Sequence, residues 1–294
     1  MTALAATLLL LSGAASSAKP AMNWTVLNLP PFTTVVNGAL GDGIIDGVVT
    51  LLERELPQYE PHYETVNIAR ALMMLDAGEP ACYISAVWTP ERDRKYFTTK
   101  TTLTPPMQLI VRASVQDRLP RNAAGEVLID SLLTQASIRG LVINQRSYSP
   151  PIDSLVQKYR KSARLMTVNF GDNSLNVMRM LSAGRADYSF EHDSVLAYNL
   201  AQNPQGVGPE ALVAVPIAGL GPFYATILCP RTPWGRERIL AIDAALSRLA
   251  RGKEYRAMLD RWRTPQTVQH FRAAQDEFYR DRATPSPAER YALP

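Results

Sequence analysis

The stretch Ser85-Ala-Val-Trp88-Thr89-Pro90-Glu91-Arg92 carries the side chains best suited to holding a polar ligand. The Arg92 guanidinium is a planar fork that matches a carboxylate in two parallel hydrogen bonds. Trp88 adds a broad ring beside it and Thr89 a hydroxyl. The same residues also suit a surface loop in which Arg92 pairs with Glu91 or Asp93. A second cluster, Glu191-His192-Asp193, sets two carboxylates around an imidazole. A glutamate there, buried so that its pKa rises, would serve as a general acid.

Other chemistries find little support. The chain has no Gly-x-Ser-x-Gly, His-Glu-x-x-His or Cys-x-x-Cys, and its three histidines, His62, His192 and His270, are widely scattered. Gly41-Asp-Gly43-Ile-Ile-Asp46-Gly47 lacks the spacing of a phosphate-binding or calcium loop. It reads as a tight turn with an acid in the first turn of a helix. No metal or cofactor is expected. The formal charge of +4 comes mostly from arginines after Arg231 that alternate with apolar residues and acids, as on solvated helix faces. With no run of like charge and no basic-aromatic strip, nucleic acid is not an expected partner.

The elements that must position these residues follow from periodicity. At 294 residues, 46% hydrophobic and 20% charged, the chain has room for two modest cores. Trp24–Leu29 reads as a strand, Ile45, Val48, Val49, Leu52 and Leu56 as one helix face, and Asn67 as the cap of a helix through Leu75. Leu75-Asp-Ala-Gly78 leads into a strand over Ala81–Ser85, and Leu181-Ser-Ala-Gly184 leads into another over Ala186–Phe190. This weak repeat predicts two similar α/β lobes with parallel-type sheets. In such sheets ligands bind beyond the carboxyl ends of the strands, where Ser85 through Arg92 would lie. Cys82 and Cys229 sit in strand-like apolar runs; a disulfide and two buried thiols are both open.

The apolar run Ala3–Leu11, followed by small residues to Ala18, reads as an export signal over 1–18, although no Lys or Arg precedes Leu8. A short buried helix is the alternative. No cysteine follows the run, so a lipid anchor is not expected and the mature chain should be soluble.

From about Trp24 to Trp262 the chain resembles the family 3 periplasmic solute-binding proteins, the receptors of ABC transporters for amino acids and other polar solutes. The resemblance rests on Pro30-Pro31-Phe32 after the first strand, Gly43-x-x-Asp46 at a helix start and Thr89-x-Glu91-Arg92 followed by Tyr96-Phe97. Gly184-Arg-Ala-Asp187 at a strand start and a helix closing on Asp260-Arg-Trp262 complete it. It implies a type II two-lobed α/β fold joined by a two-strand hinge, with the C-terminal helices on the first lobe. Lobe 1 would span 22–112 and 218–282, lobe 2 would span 113–217, and 283–294 would be a disordered tail. The crossovers would lie near Leu109 to Ala113 and Ile217 to Gly221.

The resemblance also assigns roles. Arg92 would bind a ligand carboxylate, helped by backbone groups at Ser85, with Thr89, Trp88 and Phe32 beside it. Arg146-Ser147-Tyr148 would offer an anion site at a helix start in lobe 2. An acid after the Gly184-to-Asp187 strand start would hold an amino group; Glu191 or Asp193 would serve, although the simplest register puts His192 there. Val87 stands where amino-acid receptors often place a threonine. Cys82 and Cys229 would both fall in lobe 1 strands, which favours their pairing. The implied function is a monomeric, soluble periplasmic receptor that closes on a small polar or anionic solute, an amino acid or related carboxylate, and delivers it to an inner-membrane ABC permease. The alternatives are a periplasmic dehydratase or lyase using Glu191, and a two-lobed interaction protein that has lost its ligand.

Overall fold

Leu75 and Leu181 each lead into the same turn. The amides of Gly78 and Gly184 bond to the Leu75 and Leu181 carbonyls at 3.1 and 2.9 Å, and the next amides, of Glu79 and Arg185, reach Met74 and Met180 at 3.0 Å. Both glycines have positive φ, 71° and 70°, a conformation that a Cβ makes costly. Each turn therefore ends its helix abruptly and returns the chain as a strand.

The computed structural model describes residues 18–135, 137–144, 146, 148–169, 174–202 and 211–293. The export signal expected over 1–18 lies, apart from Ala18, outside them. The chain begins with β1 (Ala21–Val26), the short pair β2 (Val35–Val36) and β3 (Ala39–Leu40), α1 (Ile44–Glu55), β4 (Glu60–Thr65) and α2 (Ile68–Asp76). β5 (Cys82–Val87), α3 (Pro90–Lys95) and β6 (Phe97–Thr104) follow. The second lobe holds β7 (Gln108–Arg112), α4 (Ile129–Thr134), β8 (Gly140–Ile143), α5 (Pro150–Tyr159), β9 (Leu165–Val168), α6 (Ser174–Ser182), β10 (Tyr188–Glu191), α7 (Asp193–Gln202) and β11 (Leu212–Val215). The chain then returns through β12 (Phe223–Cys229), α8 (Pro233–Leu249), α9 (Lys253–Asp260) and α10 (Pro265–Arg282).

The two sheets share one plan, with strand orders β4-β1-β5-β12-β6 and β9-β8-β10-β7-β11. β5 and β10, the strands of the sequence repeat, occupy the same place in each. Both sheets are mixed. β12 runs antiparallel to β5 and β6, and β7 runs antiparallel to β10 and β11. In each lobe the reversed strand is the one that enters directly from a crossover, as the chain's return requires.

Two expectations are corrected here. β7 pairs with β10 and β11, so 108–112 belongs to the second lobe and the crossovers fall over 105–107 and 216–222. The segment after 282 is fastened to lobe 1, not loose, as far as Tyr291. Tyr291 is buried, its ring meets Phe97 edge-on at 6.0 Å, and the Ser286 amide bonds to Asp243 at 2.6 Å.

The apolar spacing of α1 is realised in the core, where Ile45, Val48, Val49 and Leu52 pack with Trp24, Ile239 and Leu246. In lobe 2, Leu109, Ile152 and Phe190 cover one sheet face, and Leu141, Met178 and Leu181 the other. Cys82 on β5 and Cys229 on neighbouring β12 are joined as a disulfide, with Cα atoms 4.4 Å apart.

Candidate functional site

The carboxyl ends of β5 and β10 face a cavity of about 200 Å³ between the lobes. Lobe 1 contributes Phe32, Ile45, Ser85 and Val87, and β6 contributes Thr102 and Thr104. Pro105, in the first crossover, and Phe223, just after the second, form the hinge wall. Lobe 2 contributes His192, Asp193 and Ser194, and Arg263 enters from the segment after α9.

Local contacts explain how each wall is held. Phe32 sits in a loop fixed by Asp46 of α1, whose Oδ2 accepts from the Thr34 amide, the Thr34 hydroxyl and the Gly43 amide at 2.8 to 2.9 Å. Burial pushes the Asp46 carboxyl up, and the bonds from Thr34 and Gly43 act against that shift. His192 follows β10 directly and turns its ring into the cavity, edge-on to Phe32 at 5.5 Å and to Phe223 at 6.0 Å. Burial drives the His192 pKa down; Glu191 and the Pro105 backbone oppose that shift and Arg146 reinforces it.

The remaining charges of the cavity wall already have partners. Asp193 is buried and accepts from the Thr264 amide at 2.9 Å and its hydroxyl at 3.3 Å. Burial pushes its carboxyl up, partly offset by those bonds and by the nearby Arg263. Arg263 donates to Asp260 and to the Leu103 carbonyl, each at 3.0 Å.

Of the residues singled out in the sequence, Phe32, Ser85, His192 and Asp193 line the cavity. Arg92 does not. Its guanidinium turns back on the end of β5 and donates to the Val87 carbonyl at 2.6 Å, while Thr89 caps α3 by accepting from the Arg92 amide. The surface-loop pairing is not formed either, because Asp93 pairs with Arg290 at 2.5 Å. Trp88 lines a different cavity of about 440 Å³ with Tyr224, Phe278 and Arg282, and Lys100 lies over the Trp88 and Tyr224 rings at 4.7 and 3.7 Å.

In lobe 2 the structure brings Arg146 and Glu191 together and turns them on each other. Arg146 pairs with Glu191 at 2.7 Å, and Ser174 donates to the same carboxylate at 2.5 Å. Glu191 is 2% exposed and does not line the cavity. Tyr148 is buried, its hydroxyl accepting from the Ile143 amide at 2.8 Å and its ring against Phe190. Ser147 lies outside the described residues. Among the described residues, no group of three or more His, Cys, Asp or Glu could hold a metal ion, and no helix is long and apolar enough to cross a membrane.

Phe223, Thr104, Ser194 and Arg263 were not foreseen from the sequence. Phe223 had a signal: it is the first residue after Gly219-x-Gly221-Pro222, where a returning strand meets the hinge. Arg263 had none, because it reaches the cavity from beyond the last helix of the resemblance.

No family model and no curated protein matches the chain. Solved structures do. An ancestral cationic amino acid solute-binding protein superposes with a TM-score of 0.64 at 15% identity, covering 84% of this chain and 96% of its own. The probable amino-acid ABC transporter extracellular-binding protein ytmK of Bacillus subtilis gives 0.58 at 16% identity, covering 84% and 98%. The BvgS VFT2 domain of Bordetella pertussis gives 0.55 at 21%, covering 83% and 94%. At these identities the likeness establishes the fold: this chain has the two-lobed α/β architecture of the solute-binding proteins it resembles.

Proposed function

We propose that the chain is an exported solute-binding receptor that closes its lobes on a small molecule and delivers it to an ABC permease. The observation that carries this is the cavity at the ends of β5 and β10, walled by both lobes, by Pro105 of the first crossover and by Phe223 at the end of the second. A site so placed couples ligand contact to hinge closure, which a receptor needs. The neighbours whose names mention amino acids support solute binding in general. They do not extend to the ligand, because the Arg92 guanidinium is bonded to the Val87 carbonyl.

The enzyme reading has less behind it. Glu191 is bonded to Arg146 and Ser174 and is not among the cavity-lining residues, so a general-acid role there lacks access to a substrate. A thermal-shift screen of amino acids, peptides, polyamines, organic acids and uncharged metabolites tests the receptor reading. The expected outcome is a raised melting temperature with a small set of related compounds, diminished in Phe32→Ala and retained in Arg92→Ala. Conversion of the bound compound into a product, followed by mass spectrometry, would overturn it in favour of an enzyme.

A further inference from the structure

The walls of the interlobe cavity carry ring edges and hydroxyls but, among the described residues, no charge without an internal partner. Asp193 is held by Thr264, and Arg263 by Asp260 and the Leu103 carbonyl. The Arg146–Glu191 pair is closed on itself. Arg92 is bonded to the Val87 carbonyl. An ionic ligand group entering this space would lose its water and find partners already engaged, an arrangement that favours exclusion.

Apart from the engaged Asp193 and Arg263, the polar groups that line the cavity are neutral: the hydroxyls of Ser85, Thr102, Thr104 and Ser194 and the imidazole of His192. The Ser85 hydroxyl is buried with no hydrogen-bond partner in the structure. A buried hydroxyl of this kind gains from a ligand atom able to bond with it. Around these groups stand Phe32 and Phe223, whose rings meet His192 edge-on. Aromatic edges and faces arranged so favour a further ring. The cavity's volume of about 200 Å³ suits one ring with a short substituent.

We infer that the cleft takes an uncharged, single-ring aromatic molecule bearing one or two hydrogen-bonding groups, and that it discriminates against carboxylates, amines and zwitterionic amino acids. The inference rests on the cleft being the ligand site of a receptor. His192 is then the residue that sets ligand charge. It occupies the position after β10 where an acid would hold an amino group, and it presents a neutral ring there, kept neutral near pH 7 by burial.

The test is a charge series on one phenyl scaffold, measured by calorimetry with the disulfide-intact chain at pH 7.5: phenylacetamide, phenylacetate, phenethylamine and phenylalanine. The expected result is that phenylacetamide binds at least about tenfold tighter than each of the other three, that Phe223→Ala weakens it by a similar factor, and that His192→Asp gains at least about tenfold for phenethylamine. Equal or tighter binding of a charged member, or no binding by any of the four, overturns the ligand class. The receptor reading fails separately, when the broad thermal-shift screen yields no binder at all. If His192→Asp does not fold, the series on the unaltered chain and on Phe223→Ala still decides.

Discussion

At the scale of single residues, the chemistry of Arg92 and His192 was legible in type but not in direction. Arg92 has the fork that binds carboxylates, yet the carbonyl of Val87, five residues back, is an acceptor within reach, and the side chain takes it at 2.6 Å. Nothing in the residue order reveals that competition. Register pointed at His192, but the residue order left Glu191, His192 and Asp193 all open, and the fold turns His192 into the cleft directly after β10. Its environment has a consequence for pH. A histidine whose pKa is lowered by folding takes up a proton more readily in the unfolded chain, so stability is lost as pH falls below the ordinary value of 6.5. Asp46 and Asp193 are shifted up, which works in the opposite sense and from the lower range of ordinary carboxyls. Comparison with His192→Gln separates the two contributions. The melting-temperature advantage of the native chain over this variant should shrink steadily from pH 7.5 to 5.5; an advantage that is constant or grows would show that His192 is not buried as a neutral ring.

At the scale of elements, what was legible was local. The turns at Gly78 and Gly184, the apolar face of α1 and the Asn67 cap of α2 are each written within a few residues, and each formed as expected. Strand partnership is not local. β7 reads as a strand from its own residues, but its membership of the second sheet depends on β10 and β11, far along the chain. Tyr291 shows the same limit, because a proline-rich tail reads as loose until a buried site for its one aromatic is known. The disulfide is the long-range link that ties β5 to the returning β12 across 147 residues of sequence. Closing a loop of that length restricts the unfolded chain by about 5 kcal/mol in the chain-entropy treatment, and measured removals typically cost about 2 to 5 kcal/mol. Cys82→Ala with Cys229→Ala should therefore lower unfolding stability in urea by a few kcal/mol, and the native chain should yield no free thiol in denaturant. Two titratable thiols in the native chain, or an unchanged urea midpoint in the double variant, would remove the disulfide from the fold's stabilising contacts.

At the scale of the whole molecule, the two crossovers are not the only connection between the lobes. α10 is an 18-residue helix, about 27 Å long, and its two ends are fastened to different lobes. At its start, Gln108 of β7 donates to Thr267 at 2.8 Å, the Thr264 amide donates to Asp193 at 2.9 Å, and His270 lies 3.8 Å from Glu126. At its end, Arg282 bonds to the Lys100 carbonyl and to Asp243, each at 3.0 Å, in lobe 1. A helix is stiff over this length, so any rotation about the crossovers must either carry the N-terminal contacts along or break them. Gln108 and Thr267 are almost fully buried, and separating them would leave polar groups without partners, which is costly. α10 should therefore narrow the range of lobe opening in the unliganded chain. Spin labels at the exposed positions Met73 on α2 and Met166 on β9 report that range as a distance distribution. In the chain with Gln108→Leu and Thr267→Val, which removes the buried side-chain link between β7 and α10, the distribution should broaden toward longer separations, while the α10 end at Arg282 stays fastened. An unchanged width would show that the helix follows the lobes without restraining them, and would leave the two crossovers as the whole of the hinge.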